Sequence, residues 1–293
     1  MKRNEEKLSE EYMDSNPEDK PVLVIGGTGK TGRRIVKRLR DHHIPVRVGS
    51  RKENPSFNWE DRTTWESALR GTKSAYISYY PDLAVENAAK DIADFSAIAR
   101  KNGVNRLVLL SGRGEEEAQN AENMLIKSGV EWTIIRCSWF CQNFSEGFLL
   151  DQINHGEVSL PIGDVKEPFI DAEDIADVAF AALTEQGHEG KLYEMTGSSS
   201  ISFEEATNKI AGAIGKDIKY NHISIEKFEE MLKKDQTPRV YIDFLIELFT
   251  QVFDGRNTNS EVGVQEALGH KPRSFDDYVR ATAESGIWTI QNA

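Results

Sequence analysis

Short apolar runs separated by amphipathic stretches dominate the first half of the chain. The run VLVI after Pro21, the run LVLLS at 107–111 and the run WTIIR at 132–136 are too short for helices. Each is typical of a buried parallel strand. Residues 83–101, in contrast, repeat their apolar positions at helical spacing. This alternation predicts an α/β protein with a Rossmann-type, doubly wound parallel sheet of five or six strands.

The other elements of this half follow the same alternation. Helices are predicted at residues 30–42, 64–69 and 117–127. Strands are predicted at residues 45–50, in a short segment around Phe57, and over the run SAYISY at 74–79. The result is the series of βαβ units that a parallel sheet requires.

Beyond Phe140, helical patterns predominate. Helices are predicted after Asp171, Ser202 and Ser224, each of which is a suitable N-cap residue. We expect a disordered tail at residues 1–20, a cofactor-binding Rossmann domain at 21–150, and a smaller, mostly helical C-terminal substrate lobe at 151–293. The lobe is expected to pack on the Rossmann domain, and some of its elements are expected to rejoin the sheet.

Composition narrows the range of partners. The chain has 48 acidic and 36 basic side chains and a net charge of −12, so its surface repels phosphate backbones and a nucleic-acid partner is not expected. No apolar run approaches the roughly 18 residues of a membrane span, and residues 1–20 lack the apolar stretch of a secretory signal. These features predict a cytoplasmic protein with no membrane partner. They leave monomer and homodimer open.

The two cysteines, Cys137 and Cys141, are four residues apart. They are too few and too close together for a disulfide framework in a chain of this length. We expect ordinary reduced thiols, with a redox role as the alternative.

Residues 26–32 combine two overlapping glycine patterns, GxGxxG and GxxGxxG. They follow a predicted strand and open a predicted helix, so their N–H groups and the helix N-terminus would face a pyrophosphate. A glycine-rich turn without a ligand is the less favoured alternative. The residues predicted to bind the cofactor here are Gly26, Gly27, Thr28, Gly29, Lys30, Thr31 and Gly32.

The end of the second predicted strand is basic. An NAD-preferring Rossmann fold places an acidic residue there to bind the ribose 2′-hydroxyl, whereas this chain has Ser50 and Arg51. Arg51 would bind a 2′-phosphate through charge-assisted hydrogen bonds, and Ser50 would add a hydroxyl. The sequence therefore predicts NADP(H) as the cofactor, unless Arg51 is only a solvated surface charge.

Further candidates lie where other predicted strands end, because such folds bind ligands outside the carboxyl edge of the sheet. Asn58 and Trp59 are placed for the adenine, although core packing of Trp59 is equally favoured. Arg113 follows a strand end nearer the nicotinamide, and a helix-capping surface charge is its alternative. The other strand-end residues predicted to bind the cofactor are Ser78, Tyr79, Tyr80, Ser111 and Gly112.

The chain resembles the NmrA-like family of atypical short-chain dehydrogenases, which includes NADPH:quinone oxidoreductases and ergot alkaloid dehydrogenase-like reductases. The resemblance rests on VLVIGGTGKTGRRIVKRL, SYYPDL, RLVLLSGRG, SGVEWTIIRCSWFCQNF, FIDAEDIADVAFAAL and GHEGKLYEMTG, and it covers residues 21 to about 197. It implies a Rossmann fold and a small-molecule acceptor that lies between the nicotinamide and residues 137–144.

Within that segment the resemblance favours Asn143, which matches an Asn of the family's recurring pattern. Asn143 and Arg113 are therefore the candidate catalytic residues, because either would polarise an acceptor oxygen. The candidate substrate-binding residues are Trp139, Phe140 and Phe144, whose rings would stack on a flat acceptor. Simple sealing of the lobe interface by these rings is equally favoured.

Ordinary short-chain dehydrogenases use a Tyr-x-x-x-Lys pair to exchange a proton with the substrate. No tyrosine of this sequence has a lysine four residues later. Glu122 lies on the helix that usually carries the pair, where a surface or capping role is favoured over proton donation. The sequence therefore predicts hydride transfer to a quinone, an activated alkene or an imine, with no metal and little proton assistance.

Two functions from different classes remain open. The first and favoured one is an NADPH-dependent reductase. The second is a non-catalytic NADP(H) sensor that acts through a protein partner, which would need the same dinucleotide site.

Overall fold

The structure is a computed structural model that describes residues 20–289, so the predicted tail at 1–20 lies outside the described residues except for Lys20. The strands are β1 (Val22–Ile25), β2 (Val46–Gly49), β3 (Ser74–Ile77), β4 (Arg106–Gly112), β5 (Glu131–Cys137), β6 (Glu157–Leu160), β7 (Lys166–Glu167), β8 (Lys191–Met195), β9 (Ile201–Ser202) and β10 (Lys219–His222). The helices are α1 (Lys30–Asp41), α2 (Trp65–Leu69), α3 (Ala88–Lys101), α4 (Glu116–Ile126), α5 (Asn143–Glu146), α6 (Leu149–Asn154), α7 (Ala172–Thr184), α8 (Phe203–Ile214), α9 (Ile225–Lys234), α10 (Arg239–Glu247), α11 (Gly263–Leu268) and α12 (Phe275–Glu284). A 3₁₀ turn (Arg62–Thr64) and a π-helical turn (Leu248–Val252) precede and follow helices of this series.

The chain divides into two compact units. The first runs to Gly112 and also includes Glu116–Arg136 and Ile175–Tyr193. The second consists of Arg113–Glu115, Cys137–Asp174 and the chain from Glu194 onward. This division differs from the predicted boundary at residue 150, because the chain leaves the first unit at Cys137 and later returns to it for most of α7 and the start of β8.

The first unit is built on a six-stranded sheet with the order β2-β1-β3-β4-β5-β8. β1 pairs in parallel with β2 on one side and with β3 on the other, and β3 pairs in parallel with β4. All four residues of β1 are buried, as expected for a strand covered on both faces. The chain passes from β1 to β2 on one side and then crosses back to β3 on the other, so the strand order reverses between β1 and β3. The carboxyl ends of these strands form the topological switch point where such folds bind ligands.

Two elements of the first unit differ from the prediction. The segment around Phe57 is a loop rather than a strand, because Phe57 N–H bonds back to Ser50 O while its ring packs against Trp65 and Phe95. The sixth strand is instead β8. Helix α3 begins at Ala88 rather than near Leu83, since Asp82 Oδ1 accepts from Ala84 N–H and a local turn replaces the first helical turns.

The second unit contains the predicted capped helices. Ser202 forms a capping box with Glu205 at the start of α8, and Ser224 Oγ accepts from Lys227 N–H at the start of α9. Asp171 Oδ1 accepts from Glu173 N–H in the first turn of α7. This unit also contains two small sheets that the prediction missed, β10 with β6 and β7 with β9.

Candidate cofactor and reaction site

The glycine-rich loop between β1 and α1 closes a tight turn at Gly26. Gly26 has a φ of +69°, a left-handed conformation that glycine adopts without steric cost. Its N–H donates to Gly49 O at 3.1 Å, and Gly29 N–H donates to Gly26 O at 2.8 Å. Helix α1 then begins with neither a side-chain cap nor an acidic residue in its first turn. The positive end of a 12-residue helix therefore stands at the sheet edge, where it suits a phosphate.

Two glycines of the loop are required by close backbone approach. A Cβ at Gly32 would lie 2.1 Å from Gly26 O, and a Cβ at Gly27 would lie 2.9 Å from Val24 O. A Cβ at Gly29 would lie 3.2 Å from Gly26 O. Gly27 and Gly32 thus fix the helix against the loop, while Gly29 is exposed and a Cβ there would make a less severe contact.

The side chains of the loop divide between surface and core. Thr28 is exposed and Lys30 is half-buried. Thr31 is buried, and its hydroxyl accepts a hydrogen bond from Tyr76 OH at 2.9 Å. The side chain of Thr31 therefore joins α1 to β3.

A cavity of about 370 Å³ adjoins the loop in the first unit. It is lined by Gly27, Thr28, Arg33, Val36, Lys37, Arg40, Asp41, Val48 and Glu53. Three of these side chains are basic and two are acidic, and Lys37 forms an ion pair with Asp41 at 2.6 Å. The lining therefore carries a net positive charge of one. Arg33 and Arg40 were missed by the sequence reasoning, although their positions with Lys37 on one face of α1 follow directly from helical spacing.

The two residues predicted to bind the 2′-phosphate lie at the end of β2. Arg51 is exposed in a turn and is not among the residues that line the cavity. Ser50 is half-buried, and its hydroxyl accepts from Lys52 N–H at 3.3 Å. The cavity thus adds basic groups on α1 to the one that the sequence indicated on the β2 turn.

The residues predicted to lie near the adenine form hydrogen bonds and ring contacts with other groups of the protein. Trp59 is 7% exposed, its ring lies 4.6 Å from that of Tyr79, and its Nε1–H donates to Ser78 O at 3.2 Å. Tyr79 OH donates to Asp91 Oδ2 at 2.6 Å. Asn58 Oδ1 accepts from Glu60 N–H at 3.2 Å. For Trp59, this geometry corresponds to the core-packing alternative.

Two further predicted residues of this strand end differ in exposure. Ser78 lies against the glycine loop, with its Cβ 3.1 Å from the position that a Cβ of Gly26 would occupy. Tyr80 is 67% exposed. Ser78 is therefore the side chain of this segment that the fold places directly beside the loop.

Ser111 and Glu122 belong to a buried polar network of the first unit. Ser111 Oγ donates to Glu122 Oε1 at 2.6 Å, and Arg136 Nε donates to the same oxygen at 2.9 Å. Glu122 is 2% exposed and lies in the interior of α4, so it is neither a surface acid nor a capping acid. The network joins β4, α4 and β5, whereas Gly112 ends β4 without a side chain to contribute.

Arg113 forms two ion pairs and two backbone hydrogen bonds within the second unit. Its guanidinium lies 3.4 Å from Glu194 and 2.9 Å from Glu261, and one of its nitrogens donates to Asn257 O and Asn259 O, both at 2.8 Å. Only 9% of the Arg113 side chain is exposed. This arginine therefore fastens the loop before α11 and is not a surface charge.

Residues 139–144 form part of the aromatic core of the second unit. Phe144 is fully buried and packs against Phe169, Phe203 and Phe275. The Trp139 ring lies 4.9 Å from that of Phe253, and Trp139 is partly exposed.

The other two residues predicted in that segment are half-buried. Phe140 forms an isolated parallel bridge with Ile170. Asn143 opens α5, and its N–H donates to Phe140 O at 3.0 Å. Phe144 is thus committed to core packing, while Trp139, Phe140 and Asn143 keep some exposed surface.

The sequence reasoning missed Glu167. It lies on β7, is 3% exposed, and accepts a hydrogen bond from Trp139 N–H at 3.2 Å. Burial raises the pKa of Glu167 to about 7, although the Trp139 N–H and the Arg113 charge both lower it. No local pattern distinguishes this glutamate, because the neighbours that bury it come from distant segments.

Both cysteines are buried and free. Burial raises the pKa of the Cys137 and Cys141 thiols well above the usual range. The thiolate is the reactive form, so this environment makes both cysteines poor nucleophiles.

Residues 26–186 match a family model described as NAD(P)H-binding, and the match begins at the glycine loop described above. The model covers more than half of the chain. The chain belongs to this NAD(P)H-binding family. Within the part of the chain that the structure describes, no group of three or more His, Cys, Asp or Glu side chains is arranged to hold a metal ion, and no helix is long and apolar enough to cross a membrane.

Named relatives extend the match over nearly the whole chain. Festuclavine synthase II of Penicillium roqueforti is 31% identical, over 91% of this chain and 99% of that protein. Prestalk A differentiation protein A of Dictyostelium discoideum is 29% identical, over 89% of this chain and 92% of that protein. The NADPH-dependent quinone oxidoreductase of Escherichia coli, solved with NADPH, has the same fold, with a TM-score of 0.72 at 21% identity over 89% of this chain and 99% of that chain. The resemblance to NmrA-like reductases is confirmed, and the protein is an NAD(P)H-binding member of an oxidoreductase family.

Proposed function

We propose that this protein is an NADPH-dependent reductase that transfers hydride to a small organic acceptor. The observation that carries the proposal is the junction of the glycine loop with a cavity whose net charge is positive. A dinucleotide with a third phosphate on its adenosine ribose needs both features.

The loop would hold the pyrophosphate. Gly26 and Gly32 bring the backbone close to the start of α1, and the absence of acidic residues in its first turn keeps the helix end attractive to anions. Gly29 is exposed, so its lack of a side chain would leave room for the phosphate oxygens. Binding here depends on backbone N–H groups, so it would be insensitive to the identity of most loop side chains.

The cavity would hold the 2′-phosphate. Arg33, Lys37 and Arg40 place three cationic groups around it, against Asp41 and Glu53. A charge-assisted hydrogen bond contributes about 1.5 to 3 kcal/mol, which corresponds to roughly a 10- to 150-fold preference for NADPH over NADH. Arg51, exposed on the neighbouring turn, would add to the same field.

The acceptor would be a quinone, an activated alkene or an imine, as the lack of a Tyr-x-x-x-Lys pair suggests. NADPH supplies the hydride, and the protein binds and orients the acceptor. Trp139, Phe140 and Asn143 remain the proposed acceptor contacts, because each keeps exposed surface in the second unit. Arg113 and Phe144 are weaker candidates, because ion pairs hold the first and the core holds the second.

Two measurements on the wild-type protein test the proposal. Calorimetric titration should give tighter binding for NADPH than for NADH, and for 2′,5′-ADP than for ADP, by about tenfold or more. Loss of the reduced nicotinamide absorbance should then accompany reduction of at least one acceptor from a panel of quinones, activated alkenes and iminium salts.

Equal affinities for the paired ligands would contradict the NADPH preference. Tight binding without turnover of any acceptor, together with different affinities for NADP⁺ and NADPH, would instead support the sensor. A sensor must distinguish the two redox states through differential binding.

A further inference from the structure

The cavity beside the glycine loop contains two carboxylates in different surroundings. Asp41 forms an ion pair with Lys37 at 2.6 Å. Glu53 lines the same cavity, and among residues 20–289 its side chain forms neither an ion pair nor a hydrogen bond. The charge of Glu53 therefore remains available to a ligand of the cavity.

The turn after β2 brings Glu53 to this position. Phe57 N–H donates to Ser50 O at 2.9 Å, and Glu53 N–H donates to the same oxygen at 3.4 Å, so residues 50–57 fold back on the end of β2. In this turn Glu53 lines the cavity, whereas Arg51 does not. The sequence indicated a basic group at this strand end, and the fold brings an acidic group of the same turn to the cavity.

The acidic and basic groups of the cavity suit two different ribose substituents. A carboxylate near the end of the second strand of a Rossmann fold accepts hydrogen bonds from ribose hydroxyls, as in NAD-preferring proteins. Cationic side chains bind a 2′-phosphate, which the same carboxylate repels because both are negatively charged. A cavity of about 370 Å³ has room for either substituent with part of the ribose.

We propose that Glu53 is a specificity-determining residue that lets the protein bind NADH as well as NADPH, an inference that rests on the 2′-phosphate site of the proposed function. With NADH bound, Glu53 accepts hydrogen bonds from the hydroxyls of the adenosine ribose. With NADPH bound, the cationic groups of α1 hold the phosphate, and the negative charge of Glu53 lowers the affinity. Glu53 therefore narrows the preference for NADPH that the cationic groups create. Both α1 and the turn after β2 belong to the first unit.

The first test measures NADPH and NADH binding to Glu53→Gln by calorimetric titration. The substitution keeps the shape of the side chain and removes its charge. We expect NADPH affinity to rise about fivefold and NADH affinity to fall about fivefold, so that the preference for NADPH widens by roughly 25-fold. A general disturbance of the site would lower both affinities. Glu185→Gln, an exposed carboxylate that follows α7, is the control for charge loss and should change neither affinity.

A nucleotide without the 2′-hydroxyl shows whether Glu53 contacts that group. The wild type should bind ADP about fivefold more tightly than 2′-deoxy-ADP, because only ADP donates a charge-assisted hydrogen bond from this position. Glu53→Ala should bind the two nucleotides equally. Alanine is used here because a glutamine could still accept a hydrogen bond from the hydroxyl.

Asp41→Asn is the matched variant, because Asp41 is the other carboxylate of the cavity. It should raise NADPH affinity by freeing Lys37 from its ion pair, without lowering NADH affinity. If Asp41→Asn lowered NADH affinity as Glu53→Gln does, the two acids would act only through net charge. That result would overturn the contact between Glu53 and the ribose.

The outcomes separate this inference from the proposed function. Unchanged NADH affinity in Glu53→Gln, or equal binding of ADP and 2′-deoxy-ADP by the wild type, would overturn the role of Glu53 and leave the reductase standing. Equal binding of 2′,5′-ADP and ADP in both the wild type and Glu53→Gln would overturn the 2′-phosphate site, and the role of Glu53 with it. Absence of turnover with every acceptor would overturn the reductase alone, because the expected affinity changes in Glu53→Gln would still support its role in cofactor choice.

Discussion

The glycine loop of the first unit and the polar cluster around Arg113 in the second unit are built in different ways. The loop is one contiguous stretch, Gly26 to Gly32, and its geometry depends on backbone contacts that only glycine permits. The cluster gathers Arg113, Trp139, Glu167 and Glu261 from four separate stretches. A site made of backbone is recognisable in the sequence, whereas a site made of converging side chains becomes visible only in the fold.

Two buried glutamates, one in each unit, differ in how their charge is compensated. In the first, Glu122 is fully satisfied by Arg136 and Ser111. In the second, Glu167 receives one hydrogen bond within the described residues and keeps a raised pKa. The first arrangement compensates a buried charge, and the second leaves a buried carboxyl whose neutral form burial favours.

The largest effect on cofactor binding is expected at the loop. Gly32→Val should reduce NADPH affinity by at least about 100-fold, or about 2.7 kcal/mol, because its Cβ would overlap Gly26 O and push α1 from the loop. Calorimetric titration measures the loss. Gly212→Ala is the matched control, since a Cβ at that position in α8 meets nothing within 4 Å. Normal NADPH affinity in Gly32→Val would show that the loop does not need glycine at this position to bind the cofactor.

Each unit contains a buried carboxylate that forms an ion pair with an arginine, Glu122 in the first and Asp174 in the second. Glu122→Ala should lower the free energy of unfolding by about 3 to 5 kcal/mol, because it removes the buried carboxylate that pairs with the largely buried Arg136. Asp174→Ala should cost less, about 1 to 3 kcal/mol, because the side chain of Arg273 is 41% exposed and water replaces the partner. Urea unfolding measures both losses, and equal losses would show that exposure of the arginine does not matter.

The next prediction concerns stability and pH at Glu167. Its pKa is raised from 4.5 to about 7 on folding, so the folded state binds more protons than the unfolded state between these values. The contribution of Glu167 to stability therefore falls as pH rises through this window. Glu167→Gln should be as stable as the wild type at about pH 4 and more stable by up to about 3 kcal/mol at about pH 8. A stability difference that does not change with pH in denaturant unfolding would contradict this assignment.

The smallest effect is expected at the charged cavity. Arg33→Ala and Arg40→Ala should each reduce the preference for NADPH over NADH by about tenfold, with NADH affinity unchanged. Arg51→Ala tests the assignment made from the sequence. If it changes the preference for NADPH over NADH by less than Arg33→Ala and Arg40→Ala do, the result would favour the cavity as the site of the 2′-phosphate. Arg70→Ala, an exposed arginine after α2, serves as the control for general charge loss.

Particular elements show how far the sequence reasoning reached. The strands β1, β4 and β5 and the caps Ser202 and Ser224 were predicted correctly, since apolar runs and capping depend on neighbours a few residues away. The strand at Phe57 was wrong, because an aromatic core formed with Phe95 outweighed local β propensity. Glu122 was assigned to the surface, since nothing local indicated that Arg136 would cover it.

The sequence by itself determined the Rossmann fold, the glycine loop and the NAD(P)H-binding family, because periodicity, glycine spacing and helix caps are short-range signals. Only the tertiary structure decided that Trp59 is core, that Arg33 and Arg40 line a cavity, and that Glu167 lies buried beside Trp139. Burial and the pairing of charges depend on residues far apart in the chain. Such properties follow from how strands and helices pack and not from the local pattern of any one of them.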